Sequence, residues 1–389
     1  MVTAYRFVRE THVRIALVSL ALLACACAAK PPQGQALRDA PSPEQPSRLT
    51  TETIASGLDQ PWGLAVLPEG EMLVTERSGA VRLVTIDGAL TDPIRGLPDT
   101  VSEGQGGRMD IALDPKFAEN QFVYVSFVEA AEKGVRTAVL KARFEGQRFL
   151  DAKVIFRQEP ALEGGEHFGS RLVFDRKGNL FVTLGERYRR DEAQNLSSHL
   201  GKIVRLTRDG APASGNPFLD RAGARPEIYT YGHRNVQGAA IDPETGELWA
   251  HEHGPRGGDE VNIIKAGLNY GWPKVTYGVD YSGVRISDVA EMEGVEGPQY
   301  VWVPSIAPSG MAFYQGDVFP DWNGDILVGA LAGQMLVRLQ RQGGKIIAEE
   351  RLLNHLNHRI RDVEVDLDGR VFLLTDSGEG QILEVKPLQ

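Results

Sequence analysis

Six copies of one hairpin pattern recur along this 389-residue chain. Each copy is an apolar strand, a turn rich in Asp, Pro or Gly, and a second apolar strand. The first strands begin at Gly63, Asp110, Arg171, Gly238, Gly310 and Asp362, so the copies lie 47 to 72 residues apart. A hairpin that repeats six times with variable insertions predicts an all-β fold, a six-bladed β-propeller, in which each blade buries its apolar faces against its neighbours. A sandwich or two smaller β domains would not require six similar hairpins. The propeller is expected over 51–389, and the strands near 51–83 are candidates to close the ring.

Residues 1–24 read as a processing signal rather than part of the fold. Arg6, Arg9 and Arg14 precede an apolar run from Ile15 to Ala24 that is too short to span a bilayer. The sequence Leu22-Leu23-Ala24-Cys25 is similar to a bacterial lipoprotein signal, and a plain secretory signal cleaved near Ala28 or Ala29 is the alternative. The expectation is a periplasmic protein attached to a membrane only through an N-terminal lipid. Residues 25–50, rich in Pro, Gln and Ser, are expected to form a flexible tether. Cys25 and Cys27 are the only cysteines. The body therefore has no disulfides and no thiol chemistry.

The formal net charge of −10 argues against nucleic acid as a partner. The stretch 104–107 is glycine-rich but lacks the Gly-Lys-Ser/Thr continuation of a phosphate loop. Ser170 has no nucleophile elbow around it.

Polar residues gather just before the first strands. Gln105 precedes Asp110, His167 precedes Arg171, Arg234 and Asn235 precede Gly238, and Arg359 and Arg361 precede Asp362. If each first strand lines the central channel, these residues converge on one mouth. His167 can act as a base near neutral pH. Arg234 can stabilise developing negative charge, and Asn235 can position a polar ligand. Arg359 and Arg361 suit a ligand with carboxylates. The turn from Gly254 and Pro255 through Asp259 and Glu260 offers carbonyls and carboxylates, the ligands hard cations prefer, without the spacing of an EF-hand. His251 and His253 lack companions that would complete a transition-metal site. Tyr300, Trp302 and Tyr314 are candidates for either a sugar-binding surface or the core.

Several stretches carry a resemblance to the soluble PQQ-dependent aldose sugar dehydrogenases of the glucose/sorbosone dehydrogenase family. They are Pro61-Trp62-Gly63, Gln105-Gly106-Gly107, His167-Phe168-Gly169-Ser170-Arg171, Tyr231-Gly232-His233-Arg234-Asn235, Glu252-His253-Gly254-Pro255-Arg256-Gly257-Gly258-Asp259-Glu260, Asn269-Tyr270-Gly271-Trp272-Pro273 and Arg359-Ile360-Arg361-Asp362. The resemblance implies pyrroloquinoline quinone (PQQ) and calcium as cofactors, an aldose substrate oxidised to its lactone, and an external electron acceptor. It implies that His167 takes the anomeric hydroxyl proton and that Glu186 orients it. Gln105, Arg234, Asn235, Arg359 and Arg361 would contact the cofactor. Main-chain oxygens of Gly254 and Pro255 would hold the central calcium, with Asp259 and Glu260 in a second, structural site. Two positions depart from the pattern. Ala332 stands where relatives often carry a lysine, with Arg338 further along the next strand, and Arg108 stands where an apolar residue is usual. A non-catalytic binding propeller and a propeller lactonase are the rival readings. A monomer or weak dimer is expected.

Overall fold

The computed structural model describes residues 30–388. Six small antiparallel sheets form the blades of a propeller. Blade one is Pro61–Val66, Met72–Glu76 and Val81–Val84; blade two is Arg108–Leu113, Phe122–Ala130, Val135–Phe144 and Phe149–Arg157. Blade three is Leu172–Phe174, Leu180–Thr183, Lys202–Leu206 and Ile228–Tyr231; blade four is Val236–Ile241, Leu248–Glu252, Asp259–Ile264 and Tyr300–Trp302. Blade five is Pro308–Phe313, Ile326–Ala330, Met335–Gln342 and Lys345–Leu352. Blade six is Ile360–Val365, Val371–Thr375 and Gly380–Pro387, and Leu49–Leu58 pairs with the last of these as its outer strand. The N-terminal strand thus closes the ring on the C-terminal blade.

The recurring turn has a local cause. Asp114, Asp175, Asp242 and Asp366 each follow a first strand, and each accepts through Oδ1 the backbone N–H two residues on, at 2.8–3.0 Å. These Asx turns reverse the chain into the second strand. Second strands are mostly apolar and deeply buried, as in Val371–Thr375, because both faces meet a neighbouring blade. Buried clusters fill every blade junction; one joins Leu73 and Val81 of blade one to Val123 and Leu140 of blade two. Five more clusters occupy the other junctions, so the core is a ring. Tyr300, Trp302 and Tyr314 are buried in it, which removes them as a sugar surface.

One guanidinium ties the innermost strands together. Arg171 Nη1 lies 2.9 Å from Asp110 Oδ1 and 3.0 Å from Asp362 Oδ1, and its Nε donates to the Gln237 carbonyl. The same carboxylates accept the N–H groups of Leu172 and Leu64. Burial holds Asp110 up at about 7 against the downward pull of Arg171. Removing Arg171 would leave two buried carboxylates uncompensated.

Residues 30–48 are not the loose tether expected from their composition. Val301 N donates to the Leu37 carbonyl at 2.9 Å, Glu349 N to Pro41 at 3.0 Å, and Ser47 Oγ to Glu350 at 2.8 Å. The segment lies along the outer strands of blades four and five. The signal sequence and Cys25 lie outside the described residues.

Candidate active site

The loop entering blade three carries His167 in a left-handed conformation, φ +51°, followed by Gly169 at +67° and Ser170 at +94°. Two such non-glycine residues cost about 1–3 kcal/mol each, a strain that neighbouring contacts must hold in place. Gln105 Oε1 accepts the His167 N–H at 2.9 Å, and Asn235 Oδ1 accepts the Gly169 N–H at 3.1 Å. Gly185 allows the opposite loop to approach: a Cβ there would stand 2.0 Å from the His167 carbonyl oxygen. That approach puts Glu186 Oε1 2.6 Å from His167 Nδ1.

Both members of this pair are buried. Burial, then Arg234, holds the imidazole well below its ordinary value, so it is neutral. Burial pushes Glu186 up to about 7, against the pull of Arg234, Arg190 and Arg187. The other ring nitrogen, Nε2, makes no hydrogen bond among the described residues. A histidine in this state is a neutral base with one nitrogen oriented and the other open.

Beside it, at the channel mouth, is a cavity of about 290 Å³. Gln105, Arg359 and Arg361 line it. Arg77, Trp62, Gln237, His253 and Asp376 also line it, and none of them was assigned a cofactor-binding role from the sequence. Arg359 and Arg361 share Asp376, with nitrogens 2.7 and 3.3 Å from its oxygens. Arg361 Nε is buried without a partner, and its guanidinium lies 5.8 Å from the Trp62 ring. Three guanidiniums, one carboxylate, an unfilled buried donor and an aromatic wall suit a flat ligand bearing several carboxylates. PQQ has that chemistry, and the residues present fit it.

Arg234 and Asn235 do not line this cavity. Arg234 Nη1 donates to the carbonyls of His253, at 3.1 Å, and Gly254, at 2.9 Å. It lines a smaller cavity together with Glu252, Gly254 and Glu260. Asn235 braces the His167 loop through Gly169 and Gln237.

The metal-ligand expectations divide. Asp259 Oδ2 accepts from Ser305 Oγ, Ile306 N and Ala307 N at 2.7–3.1 Å and is committed to holding two loops together, while Oδ1 accepts only Gly254 N, at 2.9 Å. Gly254 keeps one carbonyl lone pair beside Arg234, and the Pro255 oxygen makes no hydrogen bond among the described residues. This main-chain pair still fits a hard cation. Glu260 is raised well above its ordinary value by burial and by the Glu252 and Asp259 carboxylates. Among the described residues no three acidic, His or Cys side chains form a metal cluster. His251 is fully buried with neither ring nitrogen bonded, and His253 Nε2 meets the Pro308 carbonyl at 2.7 Å.

The two departures are also placed. Arg108 donates to the carbonyls of Gly79 and Pro98 at 2.5 and 2.6 Å and does not line the cavity. Arg338 is buried against Asp325 and Glu350, away from the mouth. Neither replaces a lysine at Ala332. Arg77, held by the carbonyls of Gly104 and Gly106, is the additional cation in the cavity.

Known proteins share both sequence and fold with this chain. Aldose sugar dehydrogenase YliI of Escherichia coli is 42% identical over 348 residues, covering 88% of this chain and 94% of that protein. The crystal structure of the soluble aldose sugar dehydrogenase from E. coli in its apo form superposes with a TM-score of 0.85 at 42% identity, covering 87% of this chain and all of that one. The PQQ-bound aldose sugar dehydrogenase from Streptomyces coelicolor gives 0.71 at 30% identity, covering 88% and 99% of the two chains. Residues 58–384 match the glucose/sorbosone dehydrogenase family along almost the whole propeller, and the chain belongs to that family.

Proposed function

We propose that this protein is a PQQ- and calcium-dependent aldose sugar dehydrogenase that oxidises the anomeric carbon to a lactone. The observation that carries the reading is the His167–Glu186 pair, 2.6 Å apart, beside an arginine-lined cavity. PQQ, when bound, supplies the acceptor for the hydride leaving the anomeric carbon, and an external acceptor then takes the electrons. Arg77, Arg359 and Arg361 would hold its carboxylates, Gln105 and Gln237 its polar edge, and Trp62 its face.

His167 Nε2 takes the anomeric hydroxyl proton as the C–H bond gives up its hydride. Glu186, as a carboxylate, accepts the Nδ1 hydrogen, which fixes the ring and leaves Nε2 unprotonated. Arg234 places positive charge beside the base, favouring the negative charge that develops near it. The main-chain oxygens of Gly254 and Pro255 are the calcium ligands in this reading. Asp259 and Glu260 form the second cation site in this reading, where a cation would relieve the repulsion of Glu260 by the neighbouring Glu252 and Asp259 carboxylates. The basic and apolar stretch ending at Cys25 supports export and lipid attachment on the periplasmic side.

The test is dye reduction by purified mature protein with a panel of aldoses, with and without PQQ and calcium, alongside titration of PQQ binding by absorbance. Sugar oxidation that requires both additions is the expected result. Tight PQQ binding without turnover would replace the enzyme with a binding propeller. Folded, calcium-loaded protein that neither binds PQQ nor oxidises sugar would overturn the reading.

A further inference from the structure

The loop that delivers Glu186 continues into two consecutive non-glycine residues in the left-handed region, Arg187 and Tyr188, both at φ +56°. Nothing about their side chains favours that backbone. Arg187 is what holds it. Its guanidinium is buried, donates to the carbonyls of Glu166, Val135 and Gly164, and stacks 4.0 Å from the centre of the Phe168 ring. A buried cation with three backbone acceptors thus fixes a strained loop. The product of that arrangement is the placement of the next side chain.

Tyr188 lies over the imidazole of His167, with ring centres 4.2 Å apart and planes tilted by 44°. It is nevertheless 49% exposed. A ring recruited only to bury the histidine would be buried with it. This one covers one side of the base and offers its other surface to solvent. Tyr281, from the long insertion of blade four, is 60% exposed, and its ring lies 5.9 Å from the Arg234 guanidinium. One exposed phenol therefore lies against the imidazole and another beside the neighbouring Arg234 cation. A pyranose presents an apolar C–H face bordered by hydroxyls, and a phenol presents a flat apolar face with a polar tip.

We infer that Tyr188 is the substrate-binding wall of the site, gripping the ring face of the aldose so that its anomeric hydroxyl meets His167. The inference rests on the sugar dehydrogenase reading and adds the residue that governs sugar affinity. Arg187 is a positioning residue for Tyr188, which it holds through the loop backbone.

The experiment compares wild type with Tyr188→Phe and Tyr188→Ala, loaded with PQQ and calcium, over several pyranose aldoses. Melting temperature and PQQ affinity are measured on the same preparations. Tyr188→Ala is expected to raise KM roughly tenfold or more, with a smaller change in kcat and unchanged PQQ affinity. Tyr188→Phe, which keeps the stacking face, is expected to stay within about threefold of wild type. An unchanged KM in Tyr188→Ala, with an altered pH profile of kcat, would overturn the inference and leave Tyr188 a cover for the imidazole. A wild-type protein that oxidises no aldose would instead overturn the reading beneath it.

Discussion

Blades three and four each carry a histidine paired with a glutamate 19 residues later, and only one pair is built to react. His167 Nδ1 meets Glu186 at 2.6 Å, and His233 Nδ1 meets Glu252 at 2.8 Å. All four side chains are buried. The difference lies in what remains. His233 Nε2 is 2.9 Å from Thr230 Oγ1, its ring is stacked by Tyr270 at 4.7 Å, and the second oxygen of Glu252 accepts the Arg234 N–H. Every lone pair and proton of that imidazole has a use. His167 Nε2 has no partner among the described residues, and the second oxygen of Glu186 has none either. A satisfied pair holds two loops together, while a pair left open at one nitrogen can exchange a proton with a ligand.

The sharpest break between them is catalytic. His167→Asn should reduce kcat by about a thousandfold while the protein melts close to wild type, because the change removes a base and little packing. Stopped-flow or steady-state dye reduction beside a melting curve checks this. A His167→Asn variant that keeps more than a tenth of the turnover would remove the histidine from the chemistry. The converse substitution is Glu252→Ala. It leaves the His233 ring and the Arg234 N–H without their acceptor, and should cost about 2–4 kcal/mol of stability, read as a fall of several degrees in melting temperature. If Glu252→Ala instead melts normally and loses turnover, the assignment of the two pairs is reversed.

The blades were legible because their turns are chemical. An aspartate that folds back on its own backbone marks the end of each first strand in four of the blades, and apolar runs follow. Half of the channel mouth was legible for the same reason: residues just before a first strand must reach it. The other half follows from pairing. Antiparallel register sets Pro61 opposite Glu76, Val236 opposite Glu252 and Ile360 opposite Thr375, so the chain leaves each second strand where it entered the first. Arg77, His253 and Asp376 all sit just beyond second strands, as does Glu186, which the family resemblance already pointed to. Reading both ends of each hairpin finds them. Asp259 shows what no local pattern conveys. Its acidic surroundings resemble a ligand set, but one of its two oxygens is committed to a loop more than 40 residues later.

The smallest effect separates the pairs by pH, and its sign follows from where one proton sits. Below about pH 7 Glu186 is protonated. It then donates to Nδ1, which places the ring hydrogen on Nε2 and leaves no base. Above that pH the carboxylate accepts from Nδ1 and Nε2 is free. The pH profile of kcat/KM should therefore rise about tenfold per unit below 7 and level off above it. Glu186→Gln donates its amide to Nδ1 at every pH, so it should lower the plateau by about ten- to a hundredfold and erase the slope. Stability behaves differently. The raised Glu186 value stabilises the folded state below its ordinary 4.5, and that contribution is lost as pH rises through about 7. His167, lowered from 6.5, contributes in the opposite sense: its share is complete above 6.5 and is lost as pH falls. Between 4.5 and 6.5 the two oppose each other, so this pair makes little net change to the melting temperature while turnover is steep. Replacing Glu186 removes one side of that balance. The melting temperature of Glu186→Gln relative to wild type should then climb from pH 4.5 to 7, and a flat difference would mean that Glu186 is already ionised at the bottom of the range.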